Sequence, residues 1–521
     1  MMTVGQALVA GLKARGVDVV FGIPGVHTIE LYRGLAGSGI RHVTARHEQG
    51  AAFMADGYAR VSGKPGVAFV ITGPGLTNAL TAMAQARADS VPILVVSGVN
   101  RRSSLGLGLG LLHELPDQGR LVRTLCPSFQ VTGPEALEPC LNLAFAALAE
   151  GRPGPVHLEI PTDVMALPAI PAQAPPIPPH VPAPELARIE AAAARLAGAR
   201  SPVILAGGGA RHAEPALRAL AERLDAPVVL TTNARGLMHG HPLAVPASPS
   251  LEPVRDLIRA ADQVLAVGTE IGPTEYDMYV RGGLPDLSGM IRIDICSAQL
   301  ARHPAALTLR ADARNALAAL IEMVPASGGS GAARAATTRS SARAALDPQM
   351  PGQLAIIEAI RDALPGSIIV GDSTQPVYAG NLYYDHDRPG GWFNAATGFG
   401  ALGFGPGAAI GAAIAAPGTP VVCLIGDGGL QFSPGELRTA RDEALPVSFV
   451  VWNNAGFREI AEAMQGAGAE VIGCTPSPLE MAPFAAACGL PFVSVLPDPD
   501  ALREALQRPV TGPRLIEIRI F

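Results

Sequence analysis

Aromatic residues are scarce in this chain: 14 Phe, 7 Tyr and 2 Trp make up 4% of 521 residues. Its cores must therefore be filled by small and branched aliphatic side chains in closely packed layers. Cysteine is equally thin. The six present, Cys126, Cys140, Cys296, Cys423, Cys474 and Cys488, are scattered and form no CxxC pair. Such spacing offers neither a disulfide framework nor a zinc site, and it suits buried thiols in a reducing, cytoplasmic setting. Neither sign of charge dominates, with 39 Lys and Arg against 45 Asp and Glu. The formal charge is −6, with no basic stripe and no aromatic–basic interleaving, so no nucleic-acid partner is expected. The longest apolar run, around Ala408 to Ala416, is too short to span a bilayer, so no membrane partner is expected. The leading MMTVGQALVAGLKARG has no basic region ahead of its apolar residues, and it is not expected to be a secretory signal.

Gly (59 residues) and apolar residues (48%) are plentiful, enough for several α/β cores. Short β-branched runs alternate with Ala/Leu-rich helical patterns, the signature of parallel sheets. Val67–Ile71, Ile93–Val96 and Val156–Ile160 are examples, followed by Val203–Leu205, Val264–Val267 and Ile291–Ile295, then Ile368–Val370, Val421–Ile425 and Val447–Val451. Two stretches read as linkers: the proline-rich Leu167–Pro184, and Ala326–Pro351, rich in Gly, Ser, Ala and Arg. They divide the chain into three doubly wound parallel-sheet domains, 1–166, 185–325 and 352–521.

The most informative stretch is Gly426–Gly456, GDGGLQFSPGELRTARDEALPVSFVVWNNAG. The apolar run Val421–Ile425 enters Gly426-Asp427-Gly428-Gly429, a helical pattern follows, and Val447–Trp452 ends in Asn453-Asn454. This is a βαβ unit, right-handed by default, with Asp427 and Asn454 both at carboxyl ends of strands, where ligands bind. Their hard oxygens suit Mg²⁺ or Ca²⁺. The glycines, Gly428 and Gly429 among them, let backbone approach a phosphate. Asp-Gly alone is an ordinary turn; the paired asparagines on the next strand make the pattern more specific.

These residues resemble the cofactor signature of thiamine-diphosphate enzymes of the acetolactate synthase and 2-oxo-acid decarboxylase superfamily. The resemblance implies pyrimidine-binding, central and diphosphate-binding domains in that order. It implies thiamine diphosphate and Mg²⁺, the metal held by Asp427, Asn454 and the Gly456 carbonyl. Ser373, Thr374 and Gln375, at a strand end, offer donors for the diphosphate. In Thr397–Gly405, residues 398–403 match GxGxxG, yet no strong strand precedes them and no acid stands where a ribose partner belongs. By resemblance, the Gly400 carbonyl holds the cofactor's 4′-amino group and Leu402 wedges beneath it. The run Arg46–Arg60 (RHEQGAAFMADGYAR) is similar to the family's glutamate helix. Alone, Glu48 reads as a first-turn carboxylate favoured by the helix dipole. In the family it bonds the pyrimidine N1′ and favours the tautomer that deprotonates the thiazolium.

His27 follows the turn Gly22–Gly25, and His113 follows the glycine-alternating Leu105–Gly110. Either could be a capping or surface histidine; the resemblance places both facing the substrate, for proton transfer or binding. Ile71–Asn78 reads as a phosphate loop or, by resemblance, a wall near the pyrimidine. Ala206–His212 in the central domain carries three glycines. Acetolactate synthases hold FAD in that domain, but a close strand-to-helix turn also needs such glycines, so FAD is left open.

The implied activity is decarboxylation of a 2-oxo acid to an aldehyde. FGIPGVHTIELYRGLAGSGIRHV, LHELPDQ and DSTQPVYAGN resemble more narrowly the branch acting on 5-guanidino-2-oxopentanoate. Arg458 departs from the family pattern, and a cation near the pocket would disfavour a guanidinium. An acetolactate-synthase-like carboligase and a cofactor-binding but catalytically silent subunit are the alternatives. The resemblance also implies a homodimer or homotetramer with active sites between subunits.

Overall fold

The structure is a computed structural model that describes residues 2–171, 181–276, 283 and 285–521. Residues 172–180 of the Leu167–Pro184 stretch lie outside the described residues. Three six-stranded sheets follow one another along the chain, and among the described residues every strand pairing within them is parallel. The first contains β1 (Val19–Gly22), β2 (Arg41–Thr44), β3 (Gly66–Val70), β4 (Ile93–Val99), β5 (Ser128–Gln130) and β6 (Val156–Pro161), in the order β2-β1-β3-β4-β6-β5. The second contains β7 (Pro202–Ala206), β8 (Val228–Leu230), β9 (Ala244–Val245), β10 (Gln263–Val267), β11 (Ile291–Asp294) and β12 (Leu307–Arg310), in the order β9-β8-β7-β10-β11-β12. The third contains β13 (Ile368–Gly371), β14 (Trp392–Asn394), β15 (Val421–Gly426), β16 (Val447–Asn453), β17 (Phe492–Val495) and β18 (Arg514–Arg519), in the order β14-β13-β15-β16-β18-β17. First and third sheets thus share one strand order.

Helices cover both faces, so central strands are buried throughout and read as continuous apolar runs; β15 and β16 are examples. One core cluster spans the first and third domains, and another joins the central domain to the third. Among the described residues no helix is long and apolar enough to cross a membrane.

The stretch Ala326–Pro351, expected as a linker, contains a helix over Gly331–Ala344. Its Gly and Ser residues gather mainly at the start, while Ala and Arg fill the body and favour helix. Ala335, Thr338 and Ala342 are buried, and Gly331 N donates to Asp225 Oδ2 of the central domain at 2.9 Å.

First and third domains meet where the helix Glu48–Ser62 crosses the helix Phe404–Ala415. A Cβ on Gly57 would stand 2.0 Å from the Ala408 carbonyl oxygen, and one on Gly411 would stand 1.9 Å from that of Met54. The crossing is therefore backbone against backbone. The scarce aromatics gather here: Phe53 meets Phe404 edge-on at 5.3 Å, and the Arg60 guanidinium lies 5.2 Å from the Phe393 ring. Arg60 is tied to Asp56 (2.6 Å) and Asp89 (2.7 Å), all three buried side chains. Gly57→Ala should lower stability by about 3 kcal/mol through overpacking, although Ala is the better helix former. Gly352→Ala, on a helix with nothing near its Cβ position, should raise it by about 0.5 kcal/mol. Melting temperatures of the two variants check both signs.

Candidate active site

At the carboxyl edge of the third sheet, β15 ends at Gly426 and Asp427 opens a short helix, while β16 ends at Asn453. These strands are adjacent, so Asp427 and Asn454, 27 positions apart, touch: Asn454 N donates to Asp427 Oδ1 at 3.2 Å. With Asn454 Nδ2 donating to Gln375 Oε1 at 3.3 Å, its Oδ1 lies 2.8 Å from the Gly456 carbonyl oxygen and 3.2 Å from Asp427 Oδ1. Three oxygens this close repel unless a cation stands among them; turned over, the amide donates to both instead. A carboxylate, an amide oxygen and a backbone carbonyl are the donor set a Mg²⁺ ion takes. Burial pushes the Asp427 carboxyl up, against the backbone N–H groups of Asn454 and Gly456.

Gly428 and Gly429 are fixed by neighbours as well as by any ligand. A Cβ on Gly428 would strike the Phe457 ring at 2.6 Å, and one on Gly429 would stand 3.1 Å from Asp372 Oδ1. Asp372 is fully buried and accepts from Gly405 N (2.9 Å) and Ser373 N (2.8 Å), joining three loops at the sheet edge. Ser373 is half-buried beside it, and Thr374 Oγ1 stands 3.1 Å from the Cβ position of Gly426. Gln375 is committed to Trp452 Nε1 (3.2 Å) and Asn454, so it steadies the Asn454 amide. Gly400 (φ +76°) and Gly403 (φ +79°) bracket Leu402, a half-buried side chain just before the helix Phe404–Ala415.

In the first domain, Glu48 opens its helix with Asn78 Nδ2 donating to its Oε2 at 2.9 Å. The chain just ahead of it is held by the third domain. Arg46 N and His47 N donate to Glu436 Oε1 at 3.1 and 3.0 Å, and a Cβ on Gly50 would stand 2.1 Å from the same oxygen. Burial pushes the Glu436 carboxyl up, against donors that include Thr439.

His27 and His113 come together, ring centroids 5.4 Å apart and edge-on. His113 adopts φ +61°, and its carbonyl oxygen lies 2.4 Å from where Gly73 would carry a Cβ, so only glycine fits there. Thr72 Oγ1 and His27 O lie 2.9 and 3.0 Å from the Cβ position of Gly98. His27 Nδ1, Thr72 Oγ1 and His113 Nδ1 are all buried with no hydrogen-bond partner among the described residues. Burial, then the neighbouring His113, pull His27 below its usual range. The loop carrying His113 is pinned: Asn100 Nδ2 donates to Leu112 O at 3.0 Å, and Glu114 accepts from Leu109 N and Leu111 N at 3.1 and 2.9 Å.

The central sheet has a cavity of about 300 Å³ at its strand ends, lined by Gly208, Arg211, Thr269, Asp294 and, from the first domain, Arg60 and Asp89. Its glycines pack on one another: a Cβ on Gly207 would stand 2.3 Å from Gly268 O. Arg458 donates to Glu462 Oε1 at 3.1 Å on the helix Arg458–Gly466, which also carries Glu459. That helix carries one cation and two acids.

Sequence reading missed Glu436, placed Thr72 and Asn78 only within the Ile71–Asn78 wall, and gave Asp372 no role of its own. Burial raises the Asp372 carboxyl from 3.8 to about 6. Between those values the folded chain keeps a proton that the unfolded chain releases, so this group's contribution to stability falls as pH rises from 3.8 to about 6. Asp372→Asn removes that titration. The difference in melting temperature, variant minus parent, should therefore climb across that interval.

Three family models match in chain order: the thiamine pyrophosphate enzyme N-terminal TPP binding domain over residues 2–121, the central domain over 189–320 and the C-terminal TPP binding domain over 372–518. The probable 2-ketoarginine decarboxylase AruI of Pseudomonas aeruginosa is 45% identical over 534 aligned residues, covering 99% of this chain and 94% of that protein. Acetolactate synthase isozyme 1 large subunit of Escherichia coli is 31% identical, covering 99% and 93%. A probable acetolactate synthase large subunit of Methanocaldococcus jannaschii is 31% identical, covering 86% and 80%. With domains, order and full-length likeness in agreement, the chain belongs to the thiamine pyrophosphate enzymes, in their decarboxylase and carboligase family.

Proposed function

We propose that this enzyme uses thiamine diphosphate (thiamine pyrophosphate) and Mg²⁺ to decarboxylate 5-guanidino-2-oxopentanoate, which is 2-ketoarginine, to 4-guanidinobutanal and CO₂. The observation that carries the reading is the cluster of His27, Thr72 and His113, where three buried polar atoms have no hydrogen-bond partner among the described residues. Such atoms call for a polar ligand or water. The likeness to the Pseudomonas protein supports the substrate.

Asp427, Asn454 and the Gly456 carbonyl would hold the metal, with Gly428, Gly429, Ser373 and Thr374 around the diphosphate and Gln375 behind Asn454. Gly400 and Leu402 would meet the pyrimidine. When bound, the cofactor supplies an electron sink for loss of CO₂. Glu48 holds a proton at the pyrimidine N1′. His27, pulled toward its neutral form, accepts or returns a proton at the substrate's oxygen, with His113 beside it. The excess of acid on the helix Arg458–Gly466 offers a guanidinium a favourable field despite Arg458.

A homodimer, or a homotetramer of two such pairs, with active sites between subunits, is supported by apolar side chains left exposed near the site halves: Val26, Ile29, Leu107, Leu109, Leu112 and Phe399. A cytoplasmic location fits the six unpaired cysteines. An acetolactate-forming carboligase is the second reading. The central cavity favours it, since FAD would sit there.

The deciding experiment supplies thiamine diphosphate and Mg²⁺, then measures CO₂ release and products over a panel of 2-oxo acids. Release from the guanidino acid with free aldehyde is expected. Acetolactate from pyruvate, with flavin absorbance in the purified protein, would establish the second reading. Glu48→Gln should lower kcat about 100-fold or more while cofactor still binds. Asp427→Ala should abolish the Mg²⁺ dependence of thiamine diphosphate affinity, read by calorimetry with and without the metal.

A further inference from the structure

Glu48 opens its helix but does not cap it. His47 does that, its Nδ1 accepting from Gln49 N at 3.1 Å. Among the described residues, the hydrogen bond to Glu48 comes from Asn78, whose Nδ2 stands 2.9 Å from Oε2. Oε1 receives no donor from the described residues and lies 3.5 Å from where Gly75 would carry a Cβ. The carboxylate is thus pinned at one oxygen and presented at the other.

We propose that Asn78 is a positioning residue: by fixing Glu48 Oε2 it aims Oε1 at the pyrimidine nitrogen of the bound cofactor. The inference rests on the reading of Glu48 as the carboxylate that serves that ring. A glutamate has three side-chain torsions, and an unheld one sweeps through many rotamers. A misplacement of about 1 Å at a reacting group can lower a rate about 100-fold.

Asn78 is itself firmly seated. It lies in the second turn of the helix Pro74–Ala88. The start of that helix is fixed by Gln118, 3% exposed, whose Oε1 accepts from Gly73 N at 2.9 Å. Gln118 Nε2 in turn donates to Gly98 O at 2.9 Å and to Ser97 Oγ at 3.1 Å. Near the far end, Gln85 Oε1 accepts from Ala401 N of the third domain at 3.1 Å. Two buried amides hold the helix, and the third amide, Asn78, holds the carboxylate.

The choice of residue follows from the chemistry. A lysine or arginine would pin the oxygen more strongly, but a cation beside a carboxylate lowers its pKa by about 1–3 and weakens it as a proton acceptor. An amide N–H orients without adding charge. An aspartate has the same shape but only acceptors when ionised.

That isostery makes the test specific. Asn78→Ala and Asn78→Asp are compared with the parent and with Glu48→Gln, as holoenzyme at fixed pH. Four quantities are read: kcat, KM, the rate at which the cofactor's thiazolium C2 proton exchanges with deuterium without substrate, and the thiamine diphosphate dissociation constant. Expected is a fall of about tenfold for Ala and about 100-fold for Asp in both kcat and C2 exchange, with KM and cofactor affinity changed less than about threefold. A packing role would give the reverse order, since Asp fills the site and Ala empties it. That order, or an Asp variant within about twofold of the parent, overturns the proposal. Asn78→Ser, which donates from a shorter stem, is measured alongside, so that the order Asn, Ser, Ala retains the test if the Asp variant melts early. Normal turnover by Glu48→Gln would overturn the Glu48 reading itself, whereas an inactive Glu48→Gln beside normal Asn78 variants would overturn this inference alone.

Discussion

The crossing of Glu48–Ser62 over Phe404–Ala415 is the contact on which the rest of the molecule is built. Gly57 and Gly411 each face a carbonyl of the other helix at a distance no side chain tolerates. Helices that touch backbone to backbone have little room to slide, because every displacement meets main chain instead of a rotamer that can turn. The seam therefore fixes the first domain against the third, and with it two segments proposed to serve one cofactor chemistry: the start of the Glu48 helix and the Gly400–Gly403 turn. Glu436 secures the same junction from the side, accepting backbone N–H groups just ahead of Glu48.

Polar groups buried around this seam act in relays of short range. Asp372 gathers the loops after β13 and before the helix Phe404–Ala415. Asp89 meets Arg60, Gln85 and Thr397 at once, so the central cavity and the Gly400 segment share a neighbour. Asp372 lies inside the third domain and Asp89 at the boundary between domains; each is a buried carboxylate with its partners in place, the condition under which a buried charge is tolerated.

The fold and the sheet edge proposed to hold the metal were legible because local rules suffice there. Continuous β-branched runs separated by helical patterns dictate parallel sheets, and adjacent parallel strands bring Asp427 beside Asn454. The meeting of His27 and His113 was only half legible. Each stood out alone, but their proximity depends on β3 lying between β1 and β4, so that the Thr72–Gly73 turn is flanked by both. Glu436 looked like any first-turn acid, and Asn78 stood in a wall of the site with no partner named; their partners lie 390 and 30 positions away in sequence. The helix over Gly331–Ala344 was hidden by its glycine- and serine-rich start, which masked the alanine-rich body.

The unpartnered polar cluster of His27, Thr72 and His113 has a thermodynamic side. Each buried polar atom without a partner costs about 1–3 kcal/mol, and His113 adds a left-handed backbone. The fold thus keeps a frustrated spot at the place proposed for chemistry, and apolar residues of similar shape there would relieve the strain of desolvation while ending any proton transfer. Selection for thermal robustness and selection for turnover should therefore pull these three positions in opposite directions.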